Sequence, residues 1–238
     1  MARRRLGFWR RLAWLVVKPP MLLLTRRDWR GAEHLAGEGG MILVANHLSY
    51  ADPLVAAHFV YDAGRWPQFL AKAELFRVPV LGRLLHLVRQ IPVERGTADA
   101  ARALAAAVAA IKAGDAIIIY PEGTITHQPD LWPMRGKTGV ARLWLATGAP
   151  VVPVVMWGPQ RIVHPRTRRV RLRPRIPVTV VAGPPIDLSA FRGAAADSAT
   201  LSAITEVVMQ RVADLLGEIR GDTPPPLSPP TRRQEGAR

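Results

Sequence analysis

From residue 40 onward, short apolar runs alternate with longer stretches in which apolar positions recur every three or four residues. The runs predict strands over 41–45, 68–71, 90–93, 116–120 and 151–155. A later pair of strands is expected within 169–182, where Pro174 and Pro177 point to the edge of a sheet. The periodic stretches predict helices over 53–61, 80–88, 97–112, 138–147 and 199–219. Gly114-Asp115 and Gly148-Ala149-Pro150 read as helix-to-strand turns. Such alternation predicts an α/β fold, a single domain over 31–220 with a central mixed sheet flanked by helices. From residue 221, five prolines without an apolar pattern predict a disordered Pro-rich tail over 221–238.

The first 30 residues follow a different pattern. Their apolar run, Leu12 to Thr25, lies between Arg11 and Arg26 and has 14 residues. A membrane-spanning helix needs about 20, and Lys18-Pro19-Pro20 interrupts the run. A secretory signal is not expected, because no small-residue cleavage site follows that break. Leu6, Trp9, Ala13 and Val16 keep helical spacing, Arg3/Arg10 and Arg4/Arg11 recur at seven, and Phe8, Trp9, Trp14 and Trp29 add interfacial aromatics. Residues 1–30 are therefore expected to form an N-terminal amphipathic helical hairpin at a membrane interface. The alternative is a solvated helix packed on its own domain.

Charge sharpens this picture. Residues 1–30 hold nine basic side chains against Asp28, and residues 161–175 hold seven arginines and no acid. These two stretches contain the whole formal excess of +15, so the remainder of the chain is neutral. Two basic patches suit a polyanionic surface, either anionic lipid or nucleic acid. With 49% apolar residues the chain can bury a full core, and with no cysteine it has no disulfide, no thiolate metal site and no cysteine nucleophile.

Candidate chemistry sits at strand ends. Asn46-His47-Leu48-Ser49-Tyr50-Ala51-Asp52-Pro53 follows the strand over 41–45 and leads into a helix, so it occupies the carboxyl end of a strand, where α/β sheets bind ligands. Imidazole exchanges a proton near neutral pH, and a carboxylate on its far nitrogen fixes the tautomer. The turn between them can fold Asp52 back onto His47. Asp52 before Pro53 also fits a helix N-cap with proline at the first position, and both readings stand. Gln90-Ile91-Pro92-Val93-Glu94-Arg95-Gly96 ends another strand with an arginine suited to a phosphate, or with a solvated charge. Tyr120-Pro121-Glu122-Gly123-Thr124 ends a third, with glycine where backbone must approach a ligand or simply turn. Val152-Pro153-Val154 lies on the next strand.

In this order and spacing the four blocks resemble the four motifs of the glycerolipid acyltransferase family, which includes the bacterial 1-acylglycerol-3-phosphate acyltransferases. Ala71-Lys72-Ala73-Glu74-Leu75-Phe76 leading to Gly82, and Met134-Arg135-Gly136-Lys137-Thr138-Gly139, are similar to that family's connecting segments. The resemblance covers about residues 30–185. It implies transfer of a fatty acyl group from a thioester, acyl-CoA or acyl carrier protein, to the free hydroxyl of lysophosphatidic acid, giving phosphatidic acid in phospholipid biosynthesis. His47 would be the general base and Asp52 its orienting partner. Arg95, Glu94, Glu122, Gly123, Thr124 and Lys72 would form the acceptor's phosphate pocket, and Val152, Pro153 and Val154 would border the acyl donor. The resemblance also implies a peripheral, monotopic place at the cytoplasmic face of the cell membrane, held on an anionic surface through residues 1–30 and 161–175.

Two positions depart from the family pattern. Ile125 stands where the family often has arginine after Gly-Thr, and Arg89 where it often has glycine. Arg135, Lys137 or Lys72 would then supply the missing cation. Neither metal nor cofactor is expected. His47, Asp52 and His58 match no familiar metal spacing, and His58 reads as a packed core histidine. Gly136-Lys137-Thr138 lacks the rest of a P-loop, since Leu131 stands at the required glycine, and no Gly-x-Ser-x-Gly elbow occurs. Two other functions remain open: acylation of another lyso-lipid, and a non-catalytic basic lipid- or nucleic-acid-binding protein. Against nucleic acid, the 161–175 stretch has no interleaved aromatics for stacking.

Overall fold

The structure, a computed structural model, describes residues 7–93 and 99–229. Helix α1 (Phe8–Leu24) runs directly into strand β1 (Thr25–Arg30). There follow β2 (Met41–Ala45), α2 (Asp52–Asp62), β3 (Pro67–Lys72), α3 (Ala73–Phe76), α4 (Leu81–Leu87) and β4 (Ile91–Val93). The second half contains α5 (Asp99–Lys112), β5 (Ala116–Ile119), α6 (Gly139–Thr147), β6 (Val151–Trp157), β7 (Ile176–Ala182) and α7 (Ser198–Arg220). The strands form one mixed sheet in the order β1-β7-β6-β2-β5-β3-β4, parallel except for the antiparallel pair β6/β7.

Strand alternation divides the core into two layers. Ile42 and Val44, Ile117 and Ile119, and Val151 and Val155 face α5, α6 and α7. Met41, Leu43, Ala45, Ile118, Val152 and Val154 face the opposite way, onto Val55, Ala56 and Phe59 of α2. Helices on both faces make every residue of β2 and β5 buried, which explains their continuous apolar runs. Helix α7 starts where the Asp197 side chain accepts the Thr200 N–H and stops at left-handed Gly221.

Three expectations need correction. Residues 7–30, the described part of the expected hairpin, do not form one: α1 continues through Pro19 and Pro20, and residues 25–30 join the sheet as an edge strand parallel to β7. The anchoring face of α1 supplies the reason. Trp14 stacks on Tyr61 at 3.8 Å, Lys18 Nζ lies 3.2 Å from Asp62, and Met21 is buried, so contacts on both sides of the prolines hold the axis. The later strand pair is a single strand, β7, covered by β1 and therefore not an edge; residues 163–170 close only an isolated antiparallel bridge, Val163 to Val170. Residues 221–229 are not a free tail, because Ser228 bridges Met134 and accepts the Arg135 N–H at 2.9 Å.

Arg89 has a φ of 61°, the left-handed region. A side chain there costs about 1–2 kcal/mol, partly offset by glycine's greater entropy loss on folding. Arg89→Gly is expected to raise stability by about 0.5–1 kcal/mol, read as an upward shift of the urea midpoint.

Where α1, α2 and β1 meet, His58 is enclosed by Trp14 and Trp29, with ring centroids 5.1 and 4.6 Å away. Burial pulls its pKa down from 6.5 to about 4, against the nearby Asp62 carboxylate, with Arg27 and Lys18 adding to the fall. The unfolded chain then binds the extra proton first. Stability is complete above about pH 6.5 and is lost as pH falls toward about 4. His58→Leu is expected to flatten that acid limb, measured as the difference in urea midpoint between pH 7 and pH 5.

Candidate active site

Strand β2 is parallel to β5 on one side and to β6 on the other, so the carboxyl ends of three neighbouring strands converge. The loop after β2 carries His47. Its Nδ1 lies 2.8 Å from Asp52 Oδ2, and the same oxygen accepts the Leu48 N–H at 2.6 Å and the Ser49 N–H at 2.7 Å. With an acceptor carboxylate at Nδ1, the ring proton sits there and Nε2 is left as the basic nitrogen. The His47 side chain keeps 17% of its surface exposed while Asp52 keeps none, so the ring is reachable and its partner is not.

Asp52 is the first residue of α2, after Ala51 at the N-cap, and its carboxylate caps no helical N–H. It receives donors from the preceding loop instead, which distinguishes it from a simple helix cap. Burial raises its pKa above the usual carboxylate range, opposed by the His47 contact and the two backbone N–H groups.

The β5 end closes around the same histidine. Tyr120 stacks on the His47 ring, with centroids 4.3 Å apart and planes at 26°. Buried Glu122 takes the His47 N–H on Oε1 at 3.1 Å and the Met134 N–H on Oε2 at 3.0 Å. Burial pushes this carboxyl up to about 8, against the pull of those two donors, and the Asp52 charge adds to the rise. Thr126 completes the frame by giving its N–H to the His47 carbonyl at 2.8 Å and its hydroxyl to Trp132 O at 2.7 Å. From β6, the Met156 backbone brackets the Asn46 side chain, donating to Oδ1 at 2.9 Å and accepting from Nδ2 at 3.0 Å. Each neighbouring strand therefore fixes the residue before His47 or His47 itself.

The remaining expected site residues divide into groups. Glu94 and Arg95 lie outside the described residues. Gly123 and Thr124 are half-buried in the turn after Glu122. Each Glu122 carboxylate oxygen accepts one backbone N–H, so the side chain braces the loop around His47. Lys72 ends β3 and pairs with Glu74. Val152, Pro153 and Val154 are buried in β6 beside Leu43, Val44 and Ala45, beneath the site. Asn46 and Tyr120 belong to the motif blocks but were given no role by sequence reasoning. The available signal was a buried-strand end carrying an amide in one case and an aromatic in the other.

Ser49, the hydroxyl within the motif, donates to Val163 O at 2.7 Å and accepts the Ala51 N–H at 3.1 Å. Its hydroxyl proton is thus committed away from His47, and the loop does not form a Ser-His-Asp triad. The arrangement can take a proton from a hydroxyl brought to Nε2 and stabilise the resulting imidazolium.

The arginine-rich stretch packs beside this loop. Arg168 lies over the Tyr50 ring at 5.2 Å, and the Arg175 N–H donates to Leu23 O at the end of α1 at 3.1 Å. Among the described residues, none of the seven arginines pairs with a carboxylate. Val170 and Leu172 stand exposed between them, Leu172 at 74%. On α1, Phe8, Leu12, Leu15, Leu22 and Leu23 form an exposed apolar stripe at helical spacing. No described helix is long and apolar enough to cross a membrane.

The chain is similar to a 1-acyl-sn-glycerol-3-phosphate acyltransferase of Limnanthes douglasii, 31% identical over 160 residues, covering 66% of this chain and 53% of that protein. It is 24% identical over 186 residues to the protein of that name from Bacillus subtilis, covering 77% and 84% respectively. The first curated relatives are matched over 39%, 53% and 49% of their own lengths, so the chain spans about half of them or less. The fold is that of the crystal structure of the 1-acyl-sn-glycerophosphate (LPA) acyltransferase of Thermotoga maritima, with a TM-score of 0.60, 23% identity, and coverage of 87% of this chain and 81% of that one. The acyltransferase family model matches residues 26–157, more than half of the chain, from β1 to the end of β6; the chain belongs to the acyltransferase family.

Proposed function

We propose that the chain transfers a fatty acyl group from a thioester to the free hydroxyl of lysophosphatidic acid, giving phosphatidic acid. The carrying observation is the buried Asp52 carboxylate on His47 Nδ1, with Nε2 left basic at the carboxyl ends of three parallel strands. Relatives bearing the 1-acyl-sn-glycerol-3-phosphate acyltransferase name support the choice of acceptor. In the proposed step His47 Nε2 takes the hydroxyl proton as the acceptor oxygen attacks the thioester carbonyl. The carbon–sulfur bond breaks, the thiolate leaves, and it recovers a proton from the imidazolium. A thioester is already activated, so the base serves one direct transfer without an acyl-enzyme. Holding the two substrates together supplies much of the remaining acceleration. In this reading Val152, Pro153 and Val154 border the acyl donor, and Glu94 and Arg95, which lie outside the described residues, would join Lys72, Glu122, Gly123 and Thr124 in binding the acceptor's phosphate.

The purified chain in detergent tests this reading, with thiol release followed from palmitoyl-CoA and from palmitoyl-acyl carrier protein. Release that requires lysophosphatidic acid is expected. No release with either donor, across a panel of lyso-lipids and with the fold intact, would move the assignment to a lipid-binding protein.

The same reading places the molecule on the cytoplasmic face of the membrane. The α1 stripe and the 161–175 arginines, joined at Leu23 and Arg175, supply apolar and basic surface together. Each basic side chain near an anionic leaflet contributes about 1 kcal/mol. In flotation, the chain is expected to rise with phosphatidylglycerol-containing vesicles far more than with phosphatidylcholine alone. Equal flotation with both would contradict it.

A further inference from the structure

Between β3 and β4 the chain exposes apolar side chains that the proposed reaction does not use. Leu75 on α3, Val78 and Val80 in the turn after it, and Leu81 on α4 are all exposed, Val80 at 84%. Four exposed basic side chains, Lys72, Arg77, Arg83 and Arg89, stand among them against one acid, Glu74. The turn is braced from within. The Gly82 N–H donates to Val78 O at 2.8 Å, a Cβ on Gly82 would overlap the Phe76 carbonyl, and the Phe76 and His86 rings meet at 4.9 Å. Val80 takes a φ of 64°, a strained conformation for a β-branched residue. Its side chain is held out into solvent, where packing within the described residues does little to offset that strain.

The sheet places this turn at the edge that carries His47. Strand β3 is parallel to β5 and β5 to β2, so all three end on the same side. Helix α3 follows β3 directly. Helix α4 then runs back, since Val88 O just past its end accepts the Trp66 indole N–H at the start of β3, at 3.1 Å. Residues 77–80 therefore lie beside the carboxyl end of β3. Strand β7 is antiparallel to β6 and β1 is parallel to β7, so the end of α1 reaches that same edge, where the Arg175 N–H donates to Leu23 O. Helix α1 also touches α4. In the strand order β2 lies between β1 and β3, so His47 sits between two surfaces that are both apolar and basic.

Resting on the membrane-surface reading, we infer that the α3–α4 turn enters an anionic bilayer as a second contact, with Val80 at its tip, so that the sheet edge bearing His47 faces the lipid. An aliphatic tip among basic side chains suits the boundary between acyl chains and anionic headgroups. The edge shared with α1 favours a bilayer over a protein partner. A lipid acceptor then reaches His47 from the leaflet without crossing water.

The chain has no cysteine, so Val80→Cys carries a single environment-sensitive fluorophore. Glu38→Cys, exposed in the bend before β2 at the opposite edge, is the control. Both full chains are mixed with phosphatidylcholine vesicles containing phosphatidylglycerol and, separately, with acyl carrier protein. On the vesicles the label at 80 is expected to shift to the blue and to be quenched by lipids with nitroxide-bearing acyl chains, while the label at 38 stays as in buffer. Val80→Gly separates docking from folding, because glycine suits a positive φ. It is expected to raise the urea midpoint and yet to raise the lipid concentration for half-maximal flotation about 10- to 100-fold, the loss of one buried valine. A label at 80 that stays in water while the chain floats overturns this contact alone. So does a Val80→Gly chain that floats like wild type, or that loses stability along with flotation. A label that shifts with acyl carrier protein and not with vesicles gives the turn to a protein partner and overturns the contact too. A wild type that does not float overturns the membrane reading and this contact together; acyl transfer enters none of these readouts. If labelled Val80→Cys does not fold, Leu75→Cys replaces it under the same criteria. If neither folds, the turn is structural and the contact is overturned.

Discussion

His47→Ala is expected to lower kcat/KM by about 10²–10⁴-fold, the range over which a positioned base contributes, while the protein stays folded. Stability is preserved because the backbone of residue 47 makes the local structural bonds. Its N–H goes to Glu122 and its C=O accepts from Thr126, whatever side chain is present. Asp52 keeps the Leu48 and Ser49 N–H groups after the ring is gone. The stack on Tyr120 is lost, worth about 1 kcal/mol. Initial rates of acceptor-dependent thiol release and a urea melt, on the same preparation, separate the two effects. Activity within a few fold of wild type would remove His47 from the chemistry.

The proposed reading gives Asp52 two roles, in the loop and beside the His47 ring, that different substitutions separate. Asp52→Asn is nearly isosteric and leaves an oxygen for the Leu48 and Ser49 N–H groups, but it removes the charge that stabilises the imidazolium. It is expected to lower kcat by about 10²–10³-fold with a small stability loss. Asp52→Ala leaves those two N–H groups buried without an acceptor, at about 1–3 kcal/mol each. It is expected to lose about 2–5 kcal/mol of stability in addition to activity. Denaturant midpoints for the pair, beside their kcat values, check the division. If Asp52→Asn retained full activity and Asp52→Ala lost only stability, the carboxylate would serve the loop alone.

Residues whose surroundings lie close in sequence were the legible ones. The strand over 41–45 and its histidine five residues before Asp52 could be read together, because one turn joins them. Strands β2, β5 and β6 were visible because burial on both faces makes them continuously apolar. Strand β1 was not. Its sequence, TRRDWR, is that of a half-exposed edge, and its partner β7 lies some 150 residues further on, with Thr25 opposite Ile176. The prolines of α1 signalled a break that tertiary contacts of Trp14, Lys18 and Met21 overrode. Arg89 looked like a mere departure from a pattern until its positive φ explained why glycine suits the position. The structural duty of Glu122, linking His47 to Met134, could not be read at all, because it joins backbone groups from two distant segments.

The most direct test of direct transfer on His47 is a matched time course of thiol release and ester formation. Wild type and His47→Ala would be run at equal folded concentration, with palmitoyl-CoA and lysophosphatidic acid. The predicted result is one phosphatidic acid formed per thiol released by the wild type, no release before acceptor is added, and near-background rates for the variant. A burst of thiol without acceptor, or a variant that keeps pace with the wild type, would contradict the account.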